Sequence, residues 1–197
     1  IFLLETNETW KNQIQPCIED YPFKIEYPQD NTYGLLFYSK IDVLEHEIRF
    51  LIKKKYPSIK AKLKLNSGVE CLFFGVHPPP PSPTEKTYST ARDRELWLIA
   101  KEVEDIDMPI IVAGDLNDVA WSFTTNRFIE ISRLLDPRKG RGIFATFHAK
   151  IPFMRWPLDH LFCSKHFGLV KMKRLKNINS DHFPVLIELS EPLSRQR

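Results

Sequence analysis

The chain of 197 residues is 43% hydrophobic, 12% aromatic and 27% charged, which excludes intrinsic disorder and suits one globular domain with a core of ordinary size. With 28 Lys+Arg against 25 Asp+Glu its formal charge is only +3, permitting a phosphate-bearing partner without demanding one, and no stretch reaches the roughly 18 apolar residues of a membrane span. Cys17, Cys71 and Cys163 are odd in number and far apart, so they suggest neither a disulfide framework nor a Cys-rich zinc site and read as buried thiols.

Ile1 to Glu5 reads as a buried strand, and its start on an apolar run without Met leads us to expect residues ahead of Ile1 in a longer parent. Trp10, Ile14 and Ile18 follow at helical spacing up to Tyr21-Pro22. Phe23–Tyr27, Tyr33–Tyr38 and Val43–Leu51 have strand composition, with turns at Asp30-Asn31 and Lys40–Asp42, and read as an antiparallel meander. Ile59, Ala61, Leu63 and Leu65 alternate with Lys60, Lys62 and Lys64, a half-buried strand with its lysines to water, and Ser67-Gly68 turns it into Val69–Val76.

Pro78 to Pro83 must be a stiff loop. Leu96, Ile99, Ala100 and Val103 then give one buried face to a helix between Thr84 and Asp105. Pro109–Val112 is a short apolar strand aimed at Asp115. A helix over Phe123–Leu135, a loop at Lys139–Gly142, and strands at Leu158–Cys163, Leu169–Leu175 and Val185–Leu189 complete the chain. About ten strands and three helices, with pairs in both senses, favour an α/β sandwich over a doubly wound sheet. The tryptophans at 10, 97, 121 and 156 are expected in the core.

Five polar clusters lie at the ends of apolar strands or beside them: Glu5, His77, Asp115-Leu116-Asn117-Asp118, Asp159, and Ser180-Asp181-His182. Each alone has a plainer reading. Glu5 suits a helix start, Asp118 a helix cap, and His77 a loop. Among them Glu5, Asp115, Asp159 and Asp181 offer carboxylates, Asn117 an amide, and His77 and His182 imidazoles, an inventory that suits Mg²⁺ rather than Zn²⁺. A divalent ion on carboxylates is matched to phosphate esters.

In their order, Leu3-Leu4-Glu5, Gly75-Val76-His77-Pro78, Ala113-Gly114-Asp115-Leu116-Asn117, Leu158-Asp159-His160 and Ser180-Asp181-His182-Phe183-Pro184 resemble the endonuclease/exonuclease/phosphatase superfamily. That superfamily includes deoxyribonuclease I, abasic-site endonucleases, inositol-polyphosphate phosphatases and neutral sphingomyelinases. The loop of prolines after His77 looks like a bacterial branch of general members. The resemblance implies a deoxyribonuclease I-like four-layered α/β sandwich, two mainly antiparallel sheets face to face with helices outside, and a single catalytic domain over residues 1–197. The family pattern begins with an Asn-bearing strand ahead of the glutamate, so the domain is expected to lack its first strand.

The resemblance also implies the roles. Glu5 would ligate Mg²⁺, or Mn²⁺, with Asp181 as second ligand or water-mediated contact. Asp115 would orient or deprotonate the attacking water, and Asn117 would hold the nucleophile or a phosphate oxygen. His182, held by Asp159, would donate to the scissile phosphate, and His77 would do so from another side or assist the leaving group. The expected activity is Mg²⁺-dependent phosphodiester hydrolysis of nuclease type on a phosphate-ester substrate such as a nucleic acid. Two alternatives are a phosphomonoesterase or phospholipase-type member, acting on inositol phosphates or phospholipid headgroups, and a binding module with impaired catalysis. The expected setting is a soluble domain, cytoplasmic or tethered at a bacterial membrane by a preceding segment. Arg92, Arg94, Lys139, Arg141 and Arg155 are candidates for a basic cleft.

Overall fold

The structure, a computed structural model, describes residues 1–80 and 86–192, and between 86 and 91 only the backbone. The prolines at 81 and 83 and the helix start read at Thr84 lie outside the described residues. The described strands are β1 (Phe2–Leu4), β2 (Phe23–Tyr27), β3 (Leu35–Ser39), β4 (Asp42–Arg49), β5 (Ser58–Lys64), β6 (Glu70–Val76), β7 (Ile110–Asp115), β8 (Asp159–Cys163), β9 (Gly168–Arg174) and β10 (Val185–Ser190). Three α-helices accompany them: α1 (Glu8–Ile14), α2 (Lys86–Val103) and α3 (Phe123–Ser132).

Local chemistry sets the helix ends. The side chain of Asn7 accepts the Trp10 N–H and starts α1, and Pro16, with no N–H to give, sits in the tighter turn that follows. Ser122 caps α3 by accepting the Thr125 N–H. Asp118 therefore does not cap that helix. It accepts instead from the Val119 N–H and the Ser122 hydroxyl.

A five-stranded sheet runs β4-β5-β6-β7-β8, antiparallel except for the β6–β7 pair. A three-stranded sheet runs β1-β3-β2, and β9 pairs with β10. The expected meander is thus broken after its second strand. With β1 on one side and β2 on the other, β3 has no free edge, and Ser39 turns the chain through Ile41 into the other sheet.

Alternation along the strands builds the layers. In the fully buried β3, Leu35 and Phe37 join Ile59, Ala61 and Phe73 between the sheets, while Leu36 and Tyr38 turn to Ile14 and Ile18 beneath α1. In β7, Ile110 and Val112 meet Leu96, Ile99 and Phe128 of α2 and α3, and Ile111 faces the other sheet. Ile111 also packs with the cluster holding Leu189 of β10. The order is helix, sheet, sheet, helices: the expected four-layered α/β sandwich. Each large side chain buried in these layers contributes roughly 1.5–3 kcal/mol.

Three expectations are corrected. Cys71 and Cys163 are buried, but Cys17 is exposed at the end of the turn after α1. All four tryptophans lie about half exposed, between 45% and 55%, instead of in the core. Lys60 does not face open water, since Glu102 of α2 draws its ammonium to 2.7 Å.

Candidate active site

Three neighbouring strands bring the first residues together. His77 follows β6, Asp115 ends β7 and Asp159 begins β8, with Val76 opposite Gly114 and Asp115 opposite Asp159. Period two puts Asp115 on the inner face behind Ile111 and Ala113. Across from them come Glu5, just after β1 of the three-stranded sheet, and His182, just before β10 of the β9–β10 pair. The site therefore draws on the ends of all three sheets.

The backbone at these ends is held in unusual turns. Glu5 has φ +58° and Asn117 φ +50°. Thr6, next to Glu5, is pinned between the Gly34 carbonyl at 3.1 Å and the Gln29 N–H at 3.0 Å. A Cβ at Gly34 would lie 1.7 Å from the Thr6 oxygen, so only glycine fits there. Gly114, at φ +152°, packs so closely that a Cβ would meet the Val76 carbonyl at 1.8 Å.

Asp115 is buried, its Oδ1 accepting the Asn117 N–H at 2.8 Å. Its Oδ2 lies 3.9 Å from Nε2 of His77 and 3.7 Å from Nε2 of His182. Burial, then the nearby Asp159 charge, raises its pKa well above the usual carboxylate range. Burial acts on His77 in the opposite sense, lowering it to about 4, so the ring is neutral at pH 7. Its 3.9 Å approaches to Glu5 and Asp115 are therefore not ion pairs. Its Nδ1 is buried without a hydrogen-bond partner among the described residues.

His182 is the cation of the group. Burial would lower its pKa, but the 2.7 Å hydrogen bond from its Nδ1–H to Asp159, and the charges of Asp159, Asp115 and Asp181, lift it to about 9. Burial and the Asp181 charge raise Glu5. Asn117 donates its side-chain amide to the Pro78 carbonyl at 3.0 Å, tying the Asp115 turn to the loop after His77. Glu5, His77, Asp115, Asp159 and His182 are thus linked by approaches of 3.9 Å or less, and Asp181 acts on Glu5 and His182 through its charge. Chemically they present a buried carboxylate of raised pKa, a protonated donor, a neutral imidazole, and carboxylates facing one another.

Several supporting residues escaped the sequence reading. His160 points away from Asp159, to the helix side, where its Nδ1 accepts from Arg138 at 2.7 Å and its Nε2–H donates to the Asp118 carbonyl at 2.8 Å. Arg138 is itself held by two-pronged contact with buried Asp136. Arg92 of α2 donates to the Asn117 carbonyl and approaches Asp118 at 3.4 Å. Tyr33 lies against His77 with ring centroids 5.4 Å apart. The strand alternation at Asp159-His160 was the one available signal. The basic candidates are dispersed: Arg92 of α2 is buried against the Asn117 turn, Arg155 stacks on Phe183, Arg94 lines a hollow of about 410 Å³ between α2 and α3, and Lys139 and Arg141 are exposed, with Arg141 donating to the Pro137 and Lys139 carbonyls.

Residues 1–182 match the model of the Endonuclease/Exonuclease/phosphatase family. The chain belongs to this family. Members of the endonuclease/exonuclease/phosphatase family are phosphoester hydrolases, generally dependent on a divalent metal, and this chain is one of them. Solved structures share its fold. D. rerio TDP2 complexed with single-strand DNA product superposes with a TM-score of 0.77 at 17% identity, over 96% of this chain and 84% of that one. The mannosyl-6-phosphatase of Bacteroides thetaiotaomicron gives 0.77 at 19%, over 95% and 83%. The human Nocturnin catalytic domain with bound sulfate gives 0.75 at 19%, over 96% and 80%. No curated protein matches the chain significantly in sequence. Among the described residues no helix is long and apolar enough to cross a membrane.

Among the described residues, no three acidic, His or Cys groups converge at ligand distance of one point. Mg²⁺ does not require that, since it commonly binds one or two carboxylates and completes its shell with water and substrate oxygens. The donor chemistry fits: burial, then the charges of Asp181 and Asp159, make the Glu5 carboxylate costly, with His182 the opposing charge.

Proposed function

We propose that residues 1–197 form a single catalytic domain that hydrolyses phosphodiesters with Mg²⁺, or Mn²⁺, in the manner of a nuclease. The observation that carries this reading is the placement of Asp115 between neutral His77 and protonated His182. A carboxylate of raised pKa takes a proton from water near neutral pH. His182 donates through Nε2 to a phosphate oxygen, where charge develops in the transition state. His77 offers a neutral imidazole from the opposite side, and Asn117 positions the turn. Glu5 and Asp181 would hold the ion, which supplies charge neutralisation at the phosphate oxygens.

A panel of single-stranded DNA, RNA and a small phosphodiester, with Mg²⁺ and with chelator, tests the reading. Strand cleavage that chelator stops is expected. Release of inorganic phosphate from monoesters alone would replace it with a phosphatase. A second reading, hydrolysis of a phospholipid headgroup, is favoured by the apolar hairpin tip beside the site, and headgroup release from vesicles would support it.

A further inference from the structure

The segment from Thr146 to Trp156 is a hairpin whose base belongs to the catalytic centre. The Thr146 and Phe147 N–H groups donate to the Trp156 carbonyl, Trp156 returns a bond to Phe147, and His148 N–H reaches the Met154 carbonyl at 3.0 Å. At its foot, the Ala149 N–H donates to the Asp181 carbonyl at 2.6 Å and the Phe147 ring lies 5.0 Å from that of His182. The far end is the sequence Lys150-Ile151-Pro152-Phe153-Met154-Arg155.

That tip is apolar where a loop is ordinarily polar. Phe153 is 98% exposed and Met154 57%, with Ile151 and Trp156 also exposed. Such side chains, clustered on one projection, gain nothing from water and mark a contact surface. The stretch of sequence that holds the tip is strongly basic. Between Pro137 and Ser180 the chain carries ten Lys or Arg and a single acid, Asp159, so the remainder is net acidic. Lys150, exposed beside the tip, forms no salt bridge among the described residues.

We infer that this hairpin tip docks the protein on an anionic lipid surface, inserting Ile151, Phe153 and Met154 among the acyl chains while the exposed Lys150 meets the headgroups. Apolar side chains beside a cation are the chemistry of an interfacial anchor. A single strand of nucleic acid is gripped by stacked rings in a cationic groove, whereas this tip is a run of four consecutive exposed apolar residues, Ile151 to Met154, with one exposed cation beside it. The docking holds whichever phosphodiester is cleaved, since it rests on the tip and not on the catalytic set. It would, however, set the His182 side of the site against the headgroup layer.

Sedimentation of the full chain with vesicles, of phosphatidylcholine alone or with about 30% phosphatidylglycerol, tests this. Binding to the anionic vesicles is expected, with weaker binding to the neutral ones. The double variant Phe153→Ser/Met154→Ser should lose at least about tenfold in partitioning, and Lys150→Glu about fivefold or more. An unchanged thermal midpoint and unchanged hydrolysis of a water-soluble phosphodiester would show that the tip variants fold and keep their site. Absence of vesicle binding, or binding indifferent to these substitutions, overturns the inference. So does retention of a single-stranded oligonucleotide, weakened by the tip variants, by a protein that ignores vesicles. A chain that binds vesicles yet hydrolyses no phosphate ester keeps the docking and loses the catalytic proposal.

Discussion

Asp159 and His182 come from different sheets and meet through one hydrogen bond of 2.7 Å, from the imidazole Nδ1–H to the carboxylate Oδ2. That bond, with neighbouring charges, overcomes the burial that would remove the ring's proton. His182 is therefore charged in the folded protein up to about pH 9. Its contribution to stability is fully present below its unfolded pKa and is lost as pH rises through about 9. In Asp159→Asn the ring should titrate lower, visible by NMR of its Cε1 proton, and activity at pH 8 should fall by about 10²-fold. An unmoved His182 titration would remove Asp159 from this role.

Asp115→Asn separates chemistry from folding. The amide oxygen can still accept the Asn117 N–H, so the thermal midpoint should change little, while kcat/KM falls by roughly 10²–10⁴. Because the pKa of Asp115 is raised, the wild-type rate should climb with pH through the neutral range, and this limb should vanish in the variant. A pH–rate profile of both proteins checks the two claims together.

Metal binding should be readable without turnover. At Mg²⁺ a hundredfold above its dissociation constant the midpoint should rise by roughly 5–10 °C, and chelator should reverse the rise. Glu5→Gln and Asp181→Asn should each diminish the rise in differential scanning calorimetry. Full retention of the shift in both variants would exclude these two side chains as holders of the ion.

Glu95, on α2, is buried with neither carboxylate oxygen hydrogen-bonded. Burial, opposed in part by Arg49, raises its pKa to about 8. A carboxyl whose folded pKa is raised is no burden below its unfolded value of about 4.5; it destabilises increasingly as pH rises from there to about 8, and the cost then levels off. Glu95→Gln should therefore stabilise the protein at pH 9, by on the order of a few kcal/mol, and do little at pH 4. Urea melts at the two pH values read the difference directly.

Arg138→Met should test the buried brace behind the site. It leaves the charge of Asp136 buried and unpaired and frees Nδ1 of His160, at a cost of about 3–5 kcal/mol in chemical denaturation. Activity should drop as well, since His160 grips the Asp118 carbonyl in the turn that carries Asn117.

The sequence patterns disclosed what depends on near neighbours. The lysine alternation of Ser58–Lys64 and the apolar spacing of α2 mapped directly onto elements, and Glu5, His77 and Asp115 stand at strand ends as their flanking apolar runs suggest. What stayed hidden depends on distant chain. Nothing within Leu35–Arg49 reveals that β1 will occupy the edge β4 would need. The half-exposed tryptophans misled because ring size argues for burial while a half-exposed indole satisfies both solvent and core. Arg138 and His160 went unread because their importance arises from each other, across 22 residues of sequence.

The spacing between His77 and Asp115 is governed by main chain alone. Val76 and Gly114 are register partners in the parallel β6–β7 pair, and the Val76 carbonyl occupies the very space a side chain at 114 would need. The two strands are thus drawn together like pages at a spine, and the reacting groups inherit that closeness from atoms that take no part in the reaction. A methyl group at position 114 would wedge the spine open. It would be a lesion of the active site inflicted where no reactive side chain stands.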